Sequence, residues 1–244
     1  MLTGTALIIY LCVIFVSAII LGSIGFAFSV FAMLFLPSLF PTYPQAVAVS
    51  SLLSCLSSCI IVLKEYRHIR WKVLLPCVIG YLFTAPAAIH LSTQLEKGLL
   101  TKLLGAFLAA LGLYFIFLGG KIRIRPTVKN GILTGALSGV GGGFFAVGGP
   151  PLVVYFLSSL EGKEAYVATM QMCMVFTCMY ANLLRLINGI FTVELVVPIL
   201  AGFAVMAVGT LIGHRIMKHL PIERLKFIIY LFMIFSGVKM LLGF

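Results

Sequence analysis

Long apolar runs, separated by short polar or proline-containing stretches, are the dominant pattern of this chain. A bilayer core of about 30 Å takes about 20 apolar residues in helical form, so each run is long enough to cross a membrane or to enter one. The runs predict eight hydrophobic segments, at residues 5–37, 45–63, 72–91, 99–119, 129–158, 165–188, 193–213 and 223–243. We therefore expect an all-α polytopic membrane protein.

The first and fifth segments are too long for a simple crossing. Each has roughly 30 residues, which would make a straight helix of about 45 Å. Each also carries glycines near its middle, at 22–29 and 139–146, and the fifth continues into Gly149-Pro150-Pro151. Adjacent prolines remove two backbone donors and disfavour an uninterrupted helix. We expect each segment to be two shorter helices joined by irregular backbone, which survives at membrane depth only under protein or beside water.

The second half of the chain repeats the first. Residues 139–146 correspond to 22–29, and residues 165–169 correspond to 46–50. This divides the chain into a four-segment repeat at 1–120, a basic cytoplasmic linker at 121–127, and a second four-segment repeat at 128–244. Matching glycine-rich breaks in a duplicated membrane unit are typical of secondary transporters. The alternative is that these glycines only allow helices to pack closely.

The distribution of Lys and Arg favours one topology. Lys239 lies within the last segment and is left out of the count. If all eight segments cross, nine of the other Lys and Arg residues lie on one side and seven on the other; if the fifth segment enters and returns on the same side, thirteen lie on one side and three on the other. The positive-inside rule prefers the second arrangement. Because the second half repeats the first, we expect the first segment to be re-entrant as well. The chain then has two inverted halves, each with a glycine-broken, re-entrant first segment and three segments that cross. We expect both termini to be extracytoplasmic and the loops 64–72, 121–129 and 214–226 to be cytoplasmic.

Composition narrows the chemistry. The 244 residues are 62% hydrophobic and 9% charged, with no Asp and six Glu. Carboxylate-pair catalysis and metal cages are therefore disfavoured, and we expect no metal, no cofactor and no enzymatic activity. The cysteines lie in apolar segments, where Cys55 and Cys59 fit ordinary packing. The net charge of +11 lies in short loops beside helix ends, which indicates a cytoplasmic membrane surface rather than nucleic acid.

The glycine-rich stretch 139–144, followed by Gly149-Pro150-Pro151-Leu152, resembles the sulfite exporter TauE/SafE family, also called TSUP and grouped with YfcA-like permeases. The resemblance continues through the pair Ser50-Ser51 and through residues 182–185, and it covers essentially the whole chain. It implies transport of small, often sulfur-containing anions such as sulfite or sulfonates. The first half departs from the pattern, because Phe26 replaces the third glycine and no double proline follows.

The predicted site combines glycine backbone that no side chain covers with hydroxyl groups and one positive charge. We interpret the glycine-rich stretch as a helix start, where free N–H groups and the positive end of the helix dipole attract an anion. Asn182 and Arg185 share a helical face; Arg185 either attracts the anion at an outer mouth or anchors the helix at the interface. The candidate substrate-binding residues are Ser23, Gly25, Phe26, Phe28, Ser50, Ser51, Gly141, Gly142, Gly143, Phe144, Phe145, Gly149, Pro150, Thr169, Gln171, Asn182 and Arg185.

These observations predict a secondary transporter of small organosulfur or related anions, working by alternating access around a site between the two repeats. An anion channel is the main alternative. A membrane-embedded enzyme acting on lipids would need clustered acidic or His residues near a membrane face, and the sequence offers none. The expected partners are the anion and the bilayer of the cell (inner or plasma) membrane, in a multi-pass arrangement, with no nucleic acid. Coupling to H+ or Na+ and assembly as a homodimer stay open.

Overall fold

The computed structural model of the chain describes residues 4–24, 28–117, 124–216 and 222–242. Helices form all the regular secondary structure in these ranges, and five of them are long and apolar enough to cross a membrane. The prediction of an all-α polytopic membrane protein is confirmed. The helices are α1 (Gly4–Ile24), α2 (Phe28–Ala32), α3 (Leu36–Leu39), α4 (Tyr43–Glu65), α5 (Trp71–Gln94), α6 (Lys97–Phe117), α7 (Val128–Phe145), α8 (Gly149–Ser159), α9 (Lys163–Ile187), α10 (Val196–Ile216) and α11 (Ile222–Leu242).

The fifth segment is divided, as predicted, whereas the predicted break of the first segment falls on residues 25–27, outside the described residues. α1 ends at Ile24 and α2 begins at Phe28, while Gly25 and Phe26 lie outside the described residues. In the fifth segment α7 ends at Phe145 and α8 begins at Gly149. The position of this second break differs from the prediction: the glycine-rich stretch is regular helix, and the irregular backbone is residues 146–148. Pro150 and Pro151 lie in the first turn of α8, where a missing N–H costs no intrahelical hydrogen bond.

α7 and α8 form an antiparallel hairpin. At its tip the Ser138 hydroxyl donates to the Gly148 carbonyl at 2.6 Å. At its base the Tyr155 hydroxyl donates to the Thr127 carbonyl at 3.2 Å. Residues 128–159 therefore begin and end on the same face of the molecule.

The longer helices pack in matching pairs. α5 lies parallel to α7, and α10, which corresponds to α5 in the predicted repeat, lies parallel to α1. In the second pair the Tyr10 hydroxyl donates to the Pro198 carbonyl at 2.8 Å. α6 and α11 cross antiparallel, so closely that a Cβ on Gly105 or Gly237 would meet the carbonyl oxygen of the other. In the predicted repeat the α5–α7 pair corresponds to the α1–α10 pair, and the α6–α11 pair corresponds to itself.

α4 and α9 cross antiparallel at the centre, where the Cys55 thiol faces the Val175 carbonyl at 4.0 Å. The hydroxyl groups of Ser57 and Thr210, 3.4 Å apart, join α4 to α10, and these two helices are parallel. Because α1 is also parallel to α10, α1 and α4 run in the same direction. Residues 4–39 therefore begin and end on one face, opposite to the face from which the α7–α8 hairpin enters.

Four glycines spaced four residues apart form a stripe on α7 that faces α5. A Cβ at any of them would meet atoms of α5, which allows the two helices to approach at backbone distance. The facing pairs are Gly131 with Pro76, Gly135 with Cys77, Gly139 with Thr84, and Gly143 with Ala88. For this stripe the packing interpretation is the correct one.

Candidate functional site

A small cavity of about 20 Å³ lies at the centre of the molecule, where α4, α5 and α9 meet the tip of the α7–α8 hairpin. It has room for about one water molecule. Three predicted site residues, Ser51, Gly142 and Gly149, border it. The full lining is Ser29, Ser51, Ser54, Tyr81, Gly142, Ala146, Val147, Gly148, Gly149, Met174, Thr177 and Cys178. We call this space the central cavity.

The backbone that borders this cavity comes from two opposite helix ends. The glycine-rich stretch is the C-terminal end of α7, closed by Ala146 in the left-handed conformation (φ 57°, ψ 15°). The prediction that it forms a helix start is therefore wrong, since this end presents carbonyl oxygens and negative dipole character. The helix start is at Gly149 on α8. In its first turn the N–H groups belong to Gly149 and Leu152, because the two prolines have none.

Arg185 lies against the carbonyl end of α7. Its Nη2 donates to the carbonyl oxygens of Gly142 and Gly143 at 2.9 and 3.1 Å, and its Nη1 donates to Oδ1 of Asn182 at 3.5 Å. A cation is the favourable partner for a helix C-terminus. Arg185 is only 1% exposed, so it is neither at an outer mouth nor an interfacial anchor. Both sequence-based interpretations of its position are wrong, because the hairpin tip covers it.

The charge of Arg185 has no carboxylate partner among the described residues. In that part of the chain the one ion pair is between His68 and Glu65, on the surface. The polar side chains that Arg185 faces electrostatically are Tyr43, Tyr81 and Cys178. A buried cation without a counter-ion costs several kcal/mol, and three hydrogen bonds to neutral acceptors offset only part of that cost. An anion would supply the missing negative charge.

Donors without acceptors surround the same guanidinium. Of the five N–H groups of an arginine, the second hydrogen on Nη1 and the Nε–H find no acceptor within the described residues. Nδ2 of Asn182 and the hydroxyl of Tyr43 are also buried without a hydrogen-bond partner there, and so is the hydroxyl of Ser50 on the same helix as Tyr43. Buried polar groups are normally paired. The group that would satisfy a guanidinium, an amide N–H and a phenol together is an acceptor with negative charge.

A larger cavity of about 450 Å³, which we call the vestibule, opens on the face formed by the loops before α4, α6 and α10. Tyr43 borders the vestibule and lies within electrostatic range of Arg185, while the carbonyl of Gly142 accepts a hydrogen bond from Arg185 and Gly142 borders the central cavity. Arg185 thus lies between the two spaces. The vestibule is lined by Pro41, Thr42, Tyr43, Pro44, Gln45, Ser92, Thr93, Leu95, Lys97, Asn188, Gly189, Ile190 and Thr192.

The other predicted site residues that the structure describes do not border the central cavity. Phe28, Phe144 and Phe145 pack in or against the main apolar core. Thr169 accepts a hydrogen bond from the backbone N–H of Arg70 at 3.0 Å and fixes the turn before α5. Gln171 and Pro150 are buried in α9 and α8.

Two glycines and one serine complete the set of predicted residues. Gly141 faces the Val147 carbonyl and Phe107, and Gly143 faces Ala88 on α5. The side chain of Ser23 lies outside the described residues, as do Gly25 and Phe26. The structure therefore retains the predicted Ser51, Gly142, Gly149, Asn182 and Arg185 around the centre and separates most of the others from it.

Two tyrosines were missed by the sequence-based reasoning. Tyr81 is 3% exposed, and its hydroxyl lies so near Gly142 that a Cβ there would meet it at 2.7 Å. Tyr43, in the first turn of α4, reaches Arg185 across 142 residues of sequence. One available signal was the i, i+4, i+8 spacing of Thr177, Ala181 and Arg185, with Cys178 and Asn182 alongside, which predicts one polar face on α9. The tyrosines gave no such signal, because aromatic residues are common throughout the apolar segments.

A helical bundle with five helices long and apolar enough to cross a membrane defines a polytopic membrane protein. A model of the sulfite exporter TauE/SafE family matches residues 10–240, and the chain belongs to that family. The family consists of membrane transporters of sulfite-like anions and not of enzymes. No curated protein and no solved structure matches the chain significantly.

Proposed function

We propose that this protein is a secondary transporter that moves a small sulfite-like or sulfonate anion across the cell membrane, and that the anion binds beside Arg185. The observation that carries this proposal is the buried guanidinium without a carboxylate partner, surrounded by the unpaired donors of Asn182 and Tyr43. An anion at this position would pair with the charge and accept from all three groups. Family membership supplies the substrate class.

The helix directions support alternating access. Two inverted four-segment repeats would enter the membrane with one helical hairpin each from opposite faces, and the observed directions of α1, α4, α7 and α9 fit that arrangement. The central cavity is too small for a sulfite-sized anion, so loading requires the hairpin tip or its neighbours to move. In the proposed cycle Arg185 exchanges its bonds to the α7 carbonyls for bonds to the anion. This couples substrate binding to release of the tip.

We infer the orientation from surface charge. Exposed basic residues cluster on the face opposite the vestibule, including Lys64, Arg67, Arg70 and Arg125. The positive-inside rule makes that face cytoplasmic and the vestibule extracytoplasmic. The vestibule then leads inward to Tyr43 and Arg185. A coupling ion, H+ or Na+, belongs to the same proposal and is identified by uptake with each gradient imposed alone.

A thermal-shift titration of purified protein tests the anion site. Sulfite, sulfoacetate, taurine, isethionate, thiosulfate and simple carboxylates are compared, since a ligand that binds the folded state raises its melting temperature. One charge at about 4 Å from a partly solvated anion contributes about 1–4 kcal/mol, so Arg185→Gln should weaken binding roughly five- to several hundred-fold. Arg185→Lys should lose less anion affinity, because it keeps the positive charge and loses only the planar, forked donor geometry of the guanidinium.

The matched control is Arg125→Gln, which removes an exposed arginine on the opposite face and should leave anion binding unchanged. Equal binding by wild type and both Arg185 variants would place the anion elsewhere. Recording from reconstituted protein in planar bilayers addresses the channel alternative. Currents far beyond the turnover of a carrier would replace the transporter proposal with a channel.

A further inference from the structure

Tyr43 lies where the vestibule ends. Its position in the first turn of α4 is fixed by the neighbouring Pro44, which favours the start of a helix. The residue borders the vestibule, and its side chain lies within electrostatic range of the guanidinium of Arg185. It is 1% exposed, so its side chain is buried beneath the vestibule.

Packing alone holds the ring in this place. Tyr43 belongs to the main apolar core with Phe40 and Leu36, from the chain that leads into α4. Its hydroxyl makes no hydrogen bond within the described residues. Rotation of the side chain would therefore break no polar contact in this conformation. Apolar contacts are non-directional, so only packing favours the observed rotamer of Tyr43 over its alternatives.

We propose that Tyr43 is the gate between the vestibule and the anion site: its ring closes off the region of Arg185 and the central cavity, which we call the compartment, and its displacement opens that compartment to the vestibule. This inference rests on the proposed function for the identity of the ligand. The geometry of the barrier does not depend on it. The ring would act as the barrier, while the hydroxyl would be a separate contact to the anion.

Cys178 provides a native reporter for the gate. Cys178 borders the central cavity two turns before Arg185 on α9 and is half-buried, so its modification rate with Tyr43 in place is the baseline. A protein that retains only Cys178, with the other five cysteines replaced by alanine, is treated with a small charged methanethiosulfonate. The rate of modification reports how often the compartment is open to water. We compare this protein with its Tyr43→Ala and Tyr43→Phe derivatives.

Tyr43→Ala should increase the rate of Cys178 modification about tenfold or more, because the ring is gone and the compartment joins the vestibule. Tyr43→Phe keeps the ring and should leave that rate near the parent value. The control is a protein that retains only Cys173, which is fully buried in the apolar cluster between α5 and α8. Its rate should not change with Tyr43→Ala.

An unchanged Cys178 rate in Tyr43→Ala would overturn the gate. An equal increase at Cys173 would also overturn it, because the variant would then have loosened the fold as a whole. Failure of the proposed function gives a different result: Tyr43→Phe and the Arg185 variants would leave anion binding unaltered, while the modification rates would still show whether the ring is a barrier.

Discussion

Replacing Gly143 with alanine should destabilise the protein, and replacing Ala88 with glycine in the same chain should restore much of the loss. A Cβ at Gly143 would lie 2.6 Å from Cβ of Ala88, 3.2 Å from the carbonyl oxygen of Ala85 and 3.3 Å from the amide nitrogen of Ile89. Carbon atoms in contact are about 3.5–4.0 Å apart, so α5 and α7 would have to separate by about 1 Å here.

The size of the effect follows from two opposing terms. Overpacking a buried contact costs about 1–3 kcal/mol, and a contact of 2.6 Å belongs to the upper half of that range. The better helix propensity of alanine offsets about 1 kcal/mol of this cost. We expect a net loss of about 1–2 kcal/mol for Gly143→Ala, which lowers the melting temperature of a chain of this length by about 2–8 °C. Ala88→Gly alone should cost about 1 kcal/mol. The double variant should be about 1–2 kcal/mol more stable than the sum of the two single losses implies, because the Cβ atoms at positions 143 and 88 no longer overlap.

The assay is the apparent melting temperature of purified protein at one scan rate, followed by the fluorescence of the single tryptophan, Trp71 on α5. Gly98→Ala is the matched control, since a Cβ there would meet nothing within 4 Å. If the stability losses of the two single variants simply add in the double variant, the overlap of the two Cβ atoms is not the cause of the destabilisation. Anion uptake is measured in parallel. Recovery of stability without recovery of uptake would show that Gly143 serves the transport path as well.

Three other changes test the hairpin tip and the orientation. Ala146→Gly should raise the melting temperature, because a non-glycine residue at φ 57° is strained by about 1 kcal/mol; a fall would contradict the assigned backbone. Ser138→Ala should lower the melting temperature, because the buried Gly148 carbonyl loses a 2.6 Å hydrogen bond worth about 1–3 kcal/mol; an unchanged value would mean that water replaces the hydroxyl. Reporter fusions after Arg125 and at the C-terminus should report a cytoplasmic and an extracytoplasmic location; a cytoplasmic result for both would rule out the re-entrant fifth segment.

The membrane-embedded helices could be read from the chain because hydropathy acts locally. An apolar run must be helical to satisfy its own backbone in lipid, whatever lies beside it. The predicted segment at 45–63 appears as α4 from Tyr43 to Glu65, and the segment at 165–188 appears as α9 from Lys163 to Ile187. The excessive length of the fifth segment and its two prolines likewise predicted that it would be divided.

The roles of the glycines could not be derived in the same way. Along the chain, Gly139, Gly142 and Gly143 form one motif, but on a helix they point in different directions. Gly139 and Gly143 lie against the backbone of α5, whereas Gly142 lies against the side chain of Tyr81 on the same helix. The carbonyls of Gly142 and Gly143 both accept hydrogen bonds from Arg185. Whether a glycine serves helix packing or ligand binding depends on which residues of other helices it contacts. Those residues are about 40 to 60 positions away in sequence.

Arg185 shows the same division most clearly. The sequence by itself determined that a cationic side chain near the end of an apolar helix needs a special environment, since an unpaired charge is costly in lipid. Only the tertiary structure decided which environment that is. The α7–α8 hairpin brings two carbonyl oxygens to the guanidinium, and α4 brings Tyr43 to its other side. These contacts join three separate helices, and their geometry is set by how the helices cross and not by any local pattern along the chain.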